Sequence, residues 1–300
     1  MTTFRCAAAR RERGDDLAGT ASTYRSFLLV EHAGPWGVDA LRDARLPPGV
    51  GARLAEAGRR HQVRVLLVRR PGRRGIEGVV RVFAARAAGR DSWLETTLVE
   101  DVEDVLDIDM AALGAGRSPG LRPHPGPVLA VCTHGRHDAC CAELGRPVAL
   151  ALAATSHADD VWETSHVGGD RFAGNLVVLP RGLYYGDLDP RSAALVADAT
   201  ARGQLVLDHL RGRSDLPMGA QAAEIALRRE HGLLGLDEVH AVAVRNDRDL
   251  TTARFDVRNR APVEVVVRRV LGDRPARLTC AAVRDNPVPS YDLVEIRDVT

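Results

Sequence analysis

Short apolar runs, separated by polar turns and one amphipathic stretch, mark the first third of the chain. The run Phe27–Val30 has the length of a buried strand, and the stretch 48–60 has the spacing of an amphipathic helix. Apolar stretches bounded by glycine and aspartate follow it, which is typical of strands joined by turns. The strands are predicted over Phe27–Val30, Val63–Val68, Val79–Phe83 and Trp93–Val99.

The middle third of the chain repeats this order of elements. An apolar run is followed by an alanine- and leucine-rich helix, a short strand, a hairpin across Pro180-Arg181-Gly182 and a last helix that begins near Ser192. Strand, helix, strand, hairpin and helix is the order of a thioredoxin-like fold, and its recurrence predicts an α/β protein with two such units. The elements are predicted over Val128–Cys132, Ala142–Ala154, Val161–Thr164, Leu176–Leu179, Leu183–Gly186 and Ser192–Thr200.

The last third begins after Leu216-Pro217 and has a different pattern. One predicted helix, Ala220–Glu230, precedes stretches in which apolar and polar residues alternate, so we expect a small α+β segment. Its four strands are predicted over Val239–Val244, Thr252–Val257, Val263–Val267 and Arg277–Ala282. The stretch 114–126 is rich in glycine and proline. The predicted domains are therefore 1–116, which is related to the thioredoxin-like fold, 127–213, which carries the Cys/His site, and 217–300.

Composition narrows the classes of function. The chain has 41 basic and 40 acidic residues and no lysine, which excludes Schiff-base lysine chemistry and a Walker phosphate loop. This balance and the 4 % aromatic content argue against nucleic acid as a partner. The sequence has neither a membrane-length apolar run nor a secretory leader, so we expect a cytoplasmic protein without a membrane partner. Five cysteines in that compartment favour reduced thiols or metal ligands over disulfides.

The chemistry-bearing residues concentrate between Cys132 and Asp170, in the stretches CTHGRHDACC and SHVGGDRF. Cys132 and Cys141 would come from one strand-to-helix loop, and His166 and Asp170 stand four residues apart, so each pair could serve one iron of a [2Fe–2S] cluster. Gly168 and Gly169 between the second pair allow close approach of the backbone. These spacings alone do not distinguish an iron–sulfur cluster from a zinc ion.

The remaining cysteines and histidines receive lesser roles. We interpret Cys6 and Cys280 as small buried apolar side chains. Cys140 cannot point to the same place as its neighbour Cys141, so one of the two is structural. His134 and His137 are interpreted as supporting groups in a polar loop.

Three longer segments of the sequence resemble a known family: FLLVEHAGPWG, CTHGRHDACCAELGRPVALAL and VWETSHVGGDRFAGNLVVLPRGLYYGDLDP. They are similar to the sucrase/ferredoxin-like family, also called the thioredoxin-like ferredoxin family, over nearly the whole chain. The resemblance implies a thioredoxin-like domain that holds a [2Fe–2S] cluster through a C-x8-C and an H-x3-H pair. Cys132, Cys141 and His166 match that pattern. Asp170 stands where the family has its second histidine, and a carboxylate there would lower the reduction potential.

On this reading the residues around the cluster acquire roles. Backbone N–H groups of the loop with Thr133, Gly135 and Arg136 would tune the potential, and Arg136 and Arg171 would offset negative charge or face an acidic redox partner. We expect an electron carrier whose partner protein is unidentified, and whether it is also an enzyme stays open. The alternatives are a thiol-based redox enzyme that uses Cys140 or Cys141 at a helix N-terminus, a zinc protein, and a binding protein that keeps only the fold.

Overall fold

The computed structural model describes residues 3–73 and 78–299 and shows a mixed α/β architecture. It contains a ten-stranded mixed sheet and a four-stranded antiparallel sheet. The predicted α/β class and the final α+β segment are therefore confirmed. None of the helices within the described residues has the length and apolar character needed to cross a membrane.

The first part of the chain forms half of the large sheet. Its strands are β1 (Ser26–Glu31), β2 (Val63–Arg69), β3 (Val80–Arg86), β4 (Trp93–Val99) and β5 (Arg122–Pro123), and its helices are α1 (Cys6–Arg13), α2 (Ala40–Asp43), α3 (Val50–His61) and α4 (Met110–Gly114). The strand order is β2-β1-β3-β4-β5. β1 and β2 run parallel, because α3 carries the chain back between them, and β3 and β4 form an antiparallel hairpin beside β1.

The middle part of the chain forms the other half of the sheet. Its elements are β6 (Val128–Cys132), α5 (Ala139–Leu152), β7 (Val161–Thr164), β8 (Leu176–Leu179), β9 (Leu183–Tyr185), α6 (Pro190–Ala201) and β10 (Leu210–Arg213). The strand order is β7-β6-β8-β9-β10. β6 and β7 are again parallel and joined through a helix, and β8 and β9 again form an antiparallel hairpin, which lies beside β6.

The two halves join where β2 and β7 overlap. Val68 pairs with Thr164 and Arg69 with Glu163, so the strands meet antiparallel at their carboxyl ends. This overlap brings the loop after β1 to the loop after β6, and His134 Nε2 lies 2.9 Å from the carbonyl oxygen of Gly37. The predicted site is consequently placed at the seam of the two halves, with apolar cores on the faces of the continuous sheet.

The C-terminal segment packs one helix on the small sheet. Ala223 and Leu227 of the helix contact Phe255 and Val265 in a core of their own. The elements are α7 (Met218–His231), β11 (Val239–Asp247), β12 (Leu250–Val257), β13 (Val263–Leu271) and β14 (Pro289–Asp298).

The strand predicted over Arg277–Ala282 is wrong. The fourth strand is β14, and residues 272–288 lie outside the strands, joined to one another by the isolated pair Ala276 and Asn286. Polar and apolar residues alternate in RLTC as they do in a strand, but tertiary contact overrides this local pattern. The N–H of Cys280 donates to a carboxylate oxygen of Asp138, 2.6 Å away, instead of to a strand.

A glycine sets how closely α5 approaches the end of β6. A Cβ atom at Gly145 would overlap the carbonyl oxygen of Cys132. We predict that Gly145→Ala lowers the free energy of unfolding, because displacing the helix costs about 1–3 kcal/mol and exceeds the gain in helix propensity of about 1 kcal/mol.

Urea unfolding measures this effect. Leu150→Ala, at an exposed position of the same helix, is the control and should change stability much less. A Gly145→Ala protein that is more stable than the wild type would show that the helix does not press on β6.

Candidate functional site

The strand-to-helix loop places the first two ligand candidates. Cys132 is the last residue of β6, and Cys141 is the third residue of α5. The Asp138 carboxylate caps this helix by accepting a hydrogen bond from the N–H of Cys140 at 2.9 Å. Both Cys132 and Cys141 are buried, and they belong to the same apolar cluster.

The loop after β7 places the second pair. Gly168 and Gly169 have φ angles of +93° and +78°, a backbone conformation that favours glycine, and the chain then enters a short 3-10 turn at Asp170. The turn aims the Asp170 carboxylate back at His166, whose Nδ1 lies 2.9 Å from Asp170 Oδ1.

Asp170 connects the two predicted pairs of ligand candidates. Cys141 Sγ lies 3.2 Å from Asp170 Oδ1, the same oxygen that His166 approaches. Asp170 is 3 % exposed, whereas the His166 side chain is 26 % exposed, so the thiols form the inner side of the site and the imidazole its outer edge.

His137 is a fifth group at this site, although the sequence predicts only a supporting role for it. Its ring centroid lies 3.8 Å from that of His166, and its Nε2 lies 3.8 Å from Asp170 Oδ2. His137, His166 and Asp170 offer ligand atoms within 4.8 Å of one another. In the sequence, the feature that points to His137 as a possible ligand is its position in the loop that leads into α5.

His134, in contrast, has no nitrogen left for a metal. Its Nδ1 accepts a hydrogen bond from the N–H of His166 at 3.2 Å, and its Nε2 donates to the carbonyl oxygen of Gly37 at 2.9 Å. Burial lowers the pKa of His134, which keeps the ring neutral. This position agrees with the expected supporting role, because the His134 side chain connects the loops that follow β1, β6 and β7.

The pKa values of the two thiols shift in opposite directions. The hydrogen bond from the Cys141 thiol lowers the pKa of Cys132, and the same contact with Cys132, together with burial, raises the pKa of Cys141. Burial would lower the pKa of His166, but the Asp170 carboxylate raises it above the usual value. Burial likewise opposes ionisation of Asp170, yet contact with His166 lowers its pKa. Negative charge therefore accumulates at the inner side, on Cys132 and Asp170.

A buried polar network of Thr133, Glu163 and Arg69 holds the loop after β6. Thr133 Oγ1 donates to Glu163 Oε2 at 3.0 Å, and Arg69 Nε donates to the same oxygen at 2.7 Å. The guanidinium carbon of Arg69 lies 4.1 Å from the ring centroid of Trp36, which covers this side of the site. Loop residues Gly135 and the exposed Arg136 line a groove of about 310 Å³ above the network.

Arg211 holds the other loop, and its role was not predicted from the sequence. This buried guanidinium donates to the carbonyl oxygen of Gly168 at 2.9 Å and to Asn175 Oδ1 at 2.7 Å. A Cβ atom at Gly169 would overlap it. Burial lowers the pKa of Arg211 to about 10, and Asp170 and Cys132 are among the negative groups that oppose this shift. Arg171 lies elsewhere, over the Phe172 ring and 3.6 Å from Asp15.

The three other cysteines form a second cluster. Cys6, Cys140 and Cys280 meet beside Asp138, and the four side chains offer ligand atoms within 4.8 Å of one another, a geometry that could bind a metal ion. Cys140 and Cys141 thus point to different places, as their adjacency requires. The interpretation of Cys6 and Cys280 as isolated apolar side chains missed this cluster, because three distant parts of the chain build it.

We predict that Arg211→Met loosens the loop 166–170, because Gly168 and Asn175 lose a buried hydrogen-bond donor. Each such loss costs about 1–3 kcal/mol, so amide exchange in the loop should accelerate about tenfold or more. Hydrogen–deuterium exchange with mass spectrometry measures this. Arg213→Met is the control on the same strand, since Arg213 contacts Asp215 and Glu224 instead. Equal exchange of the loop in both variants would contradict the role of Arg211.

Comparison with known proteins bears on the family. The family model described as sucrase/ferredoxin-like matches residues 17–212, nearly two thirds of the chain, and this range includes Cys132, Cys141, His166 and Asp170. No curated protein and no solved structure matches the chain. Because the family model covers more than half of the sequence, the chain belongs to the sucrase/ferredoxin-like family.

Proposed function

We propose that Cys132, Cys141, His166 and Asp170 hold a [2Fe–2S] cluster and that the protein transfers single electrons. The observation that carries this proposal is the meeting of two buried thiols with an imidazole–carboxylate pair, within residues that the family model matches. Cysteine with partial replacement by histidine is an established ligand set for this cluster. An aspartate as the fourth ligand departs from that set.

The donor atoms fit the group chemically. Cys132 and Cys141 form one contacting pair, and His166 and Asp170 form another, which matches two ligands for each iron. His166 Nδ1 is buried and makes no aligned hydrogen bond, although Asp170 Oδ1 lies only 2.9 Å away. A metal bond at His166 Nδ1 would replace this poorly aligned contact with the carboxylate.

One distance favours a second candidate. Cys141 Sγ and Asp170 Oδ1 are only 3.2 Å apart, so one ion can contact this thiol and this carboxylate together, whereas two irons require the two pairs to separate. A mononuclear site, most simply zinc, is therefore the alternative.

The bound cluster would supply one-electron chemistry, and the chain supplies its surroundings. Arg211 provides a buried positive charge that offsets the thiolates and the carboxylate. Trp36 and His134 exclude water on one side. His166 leaves a partly exposed edge, and the neighbouring groove carries Arg136 and Arg146, which suit an acidic cytoplasmic redox partner.

The strand orders support a further part of the proposal, that two thioredoxin-like units are duplicated. In each half two parallel strands are joined through a helix, and a hairpin follows beside the first of them. Glu31 ends β1 as Cys132 ends β6. On this proposal the first unit has no thiol at the equivalent position and serves to cover the second.

We predict that anaerobically purified protein contains iron and sulfide, about two of each per chain, and is red-brown. Cys132→Ser and Cys141→Ser should each remove most of the iron, because each takes a thiolate from the same iron. Cys280→Ser is the control and should retain it, since Cys280 lies in the other cluster. Colourless protein with one zinc at this site would establish the alternative.

We also predict that Asp170 and not His137 is the fourth ligand, because Asp170 contacts both Cys141 Sγ, at 3.2 Å, and His166 Nδ1, at 2.9 Å. Asp170→Ala should lower the iron content, and His137→Ala should leave it nearly unchanged. Asp170→His should retain the cluster and raise its reduction potential by about 100 mV or more, because an imidazole carries no negative charge. Iron analysis and a redox titration measure both effects; loss of iron in His137→Ala alone would contradict the assignment.

A further inference from the structure

Cys6, Cys140 and Cys280 come from three distant parts of the chain to one buried point. Cys6 is the first residue of α1, Cys140 is the second residue of α5, and Cys280 lies in the irregular segment between β13 and β14. Cys280 Sγ is 3.4 Å from Cys140 Sγ and 3.6 Å from Cys6 Sγ. Both carboxylate oxygens of Asp138 are 3.7 Å from Cys6 Sγ.

These separations correspond to the edges of a tetrahedron around one ion. Zn–S bonds of about 2.3 Å place two sulfur ligands about 3.8 Å apart, and a carboxylate oxygen at about 2.0 Å lies slightly nearer to each sulfur. A disulfide would use only two of the three thiols, whereas one ion can bind all three thiols together with the carboxylate.

Two helix N-termini meet at this point. α1 begins at Cys6 without a side-chain cap, so its first-turn N–H groups have no side-chain acceptor within that helix end. The N-terminus of α5 adds its positive end beside Cys140. The Asp138 carboxylate is fixed by the N–H groups of Cys140 and Cys280, at 2.9 and 2.6 Å.

We propose that Cys6, Cys140, Cys280 and Asp138 bind a zinc ion that fastens the segment 272–288 to α1 and α5. Three thiolates and one carboxylate form a closed four-ligand set, which is typical of structural zinc rather than catalytic zinc. The segment forms no strand, and its internal backbone hydrogen bonds join Ala276 with Asn286, Gly272 with Val288 and Ala282 with Thr279. A metal anchor would therefore add to its stability. A second contact beside the site, Arg277 over the Phe4 ring at 3.7 Å, fixes the same segment to the N-terminus.

Zinc analysis of variants tests the proposal separately from the iron–sulfur site. Protein produced with zinc in the medium should contain about one tightly held zinc per chain. Cys6→Ser and Cys280→Ser should lose it, and Cys132→Ser should retain it. A Cys280→Ser protein that keeps its full zinc content would overturn the proposal. Wild-type protein that contains this zinc but no iron would contradict only the iron–sulfur proposal, and wild-type protein that contains iron but no zinc would contradict only the zinc proposal.

A second measurement uses the wild-type chain, so it does not depend on the folding of variants. Iodoacetamide labelling followed by peptide mass spectrometry reads each cysteine, and Cys280 is partly accessible to the reagent. Cys6, Cys140 and Cys280 should be protected together with zinc present and should react together after a strong chelator removes it. Labelling of Cys280 that is the same with and without the chelator would contradict the proposal, as would a Cys140–Cys280 disulfide in zinc-free native protein.

Discussion

The close packing of α5 on the end of β6 is the constraint on which the rest of the site depends. Gly145 brings the helix against the carbonyl group of Cys132, so the first turn of α5 must lie beside the last residue of the strand. That turn carries two adjacent cysteines, and a helix directs neighbouring side chains about 100° apart. Cys141 consequently points inward to Cys132 and Asp170, whereas Cys140 points outward to Cys6 and Cys280.

Buried charge is the second organising factor. Asp138 caps the helix and reaches the outer cluster, and Asp170 lies between the inner thiols and His166. A buried carboxylate or thiolate is stable only with compensating donors or positive charge. Arg211 supplies the charge for the inner group, and the N-terminal turns of α1 and α5 lie beside the outer group. The two clusters thus depend on the same helix but on different compensating groups.

Local sequence pattern predicted the inner group well. An apolar run that ends in Cys132 predicts a strand end, and the alanine-rich stretch predicts the helix that carries Cys141, so their approach follows from a single loop. The outer cluster could not be found in this way, because Cys6 and Cys280 acquire their meaning only from tertiary contact. α1 is polar and lacks a strong apolar stripe, and RLTCAA resembles a strand more than it resembles the irregular segment it forms. Arg211 and His137 were missed for the same reason.

Electron paramagnetic resonance of the dithionite-reduced protein, with pulsed detection of nitrogen coupling, shows whether the proposed [2Fe–2S] cluster is present and how many histidines bind it. Two thiolates, one imidazole and one carboxylate should give the spin-half signal of a reduced [2Fe–2S] cluster that couples to the nitrogen of one histidine ligand. The coupling should disappear in His166→Ala and persist in His137→Ala. Iron-replete protein without such a signal, or a signal that couples to two histidines, would contradict the proposed ligand set.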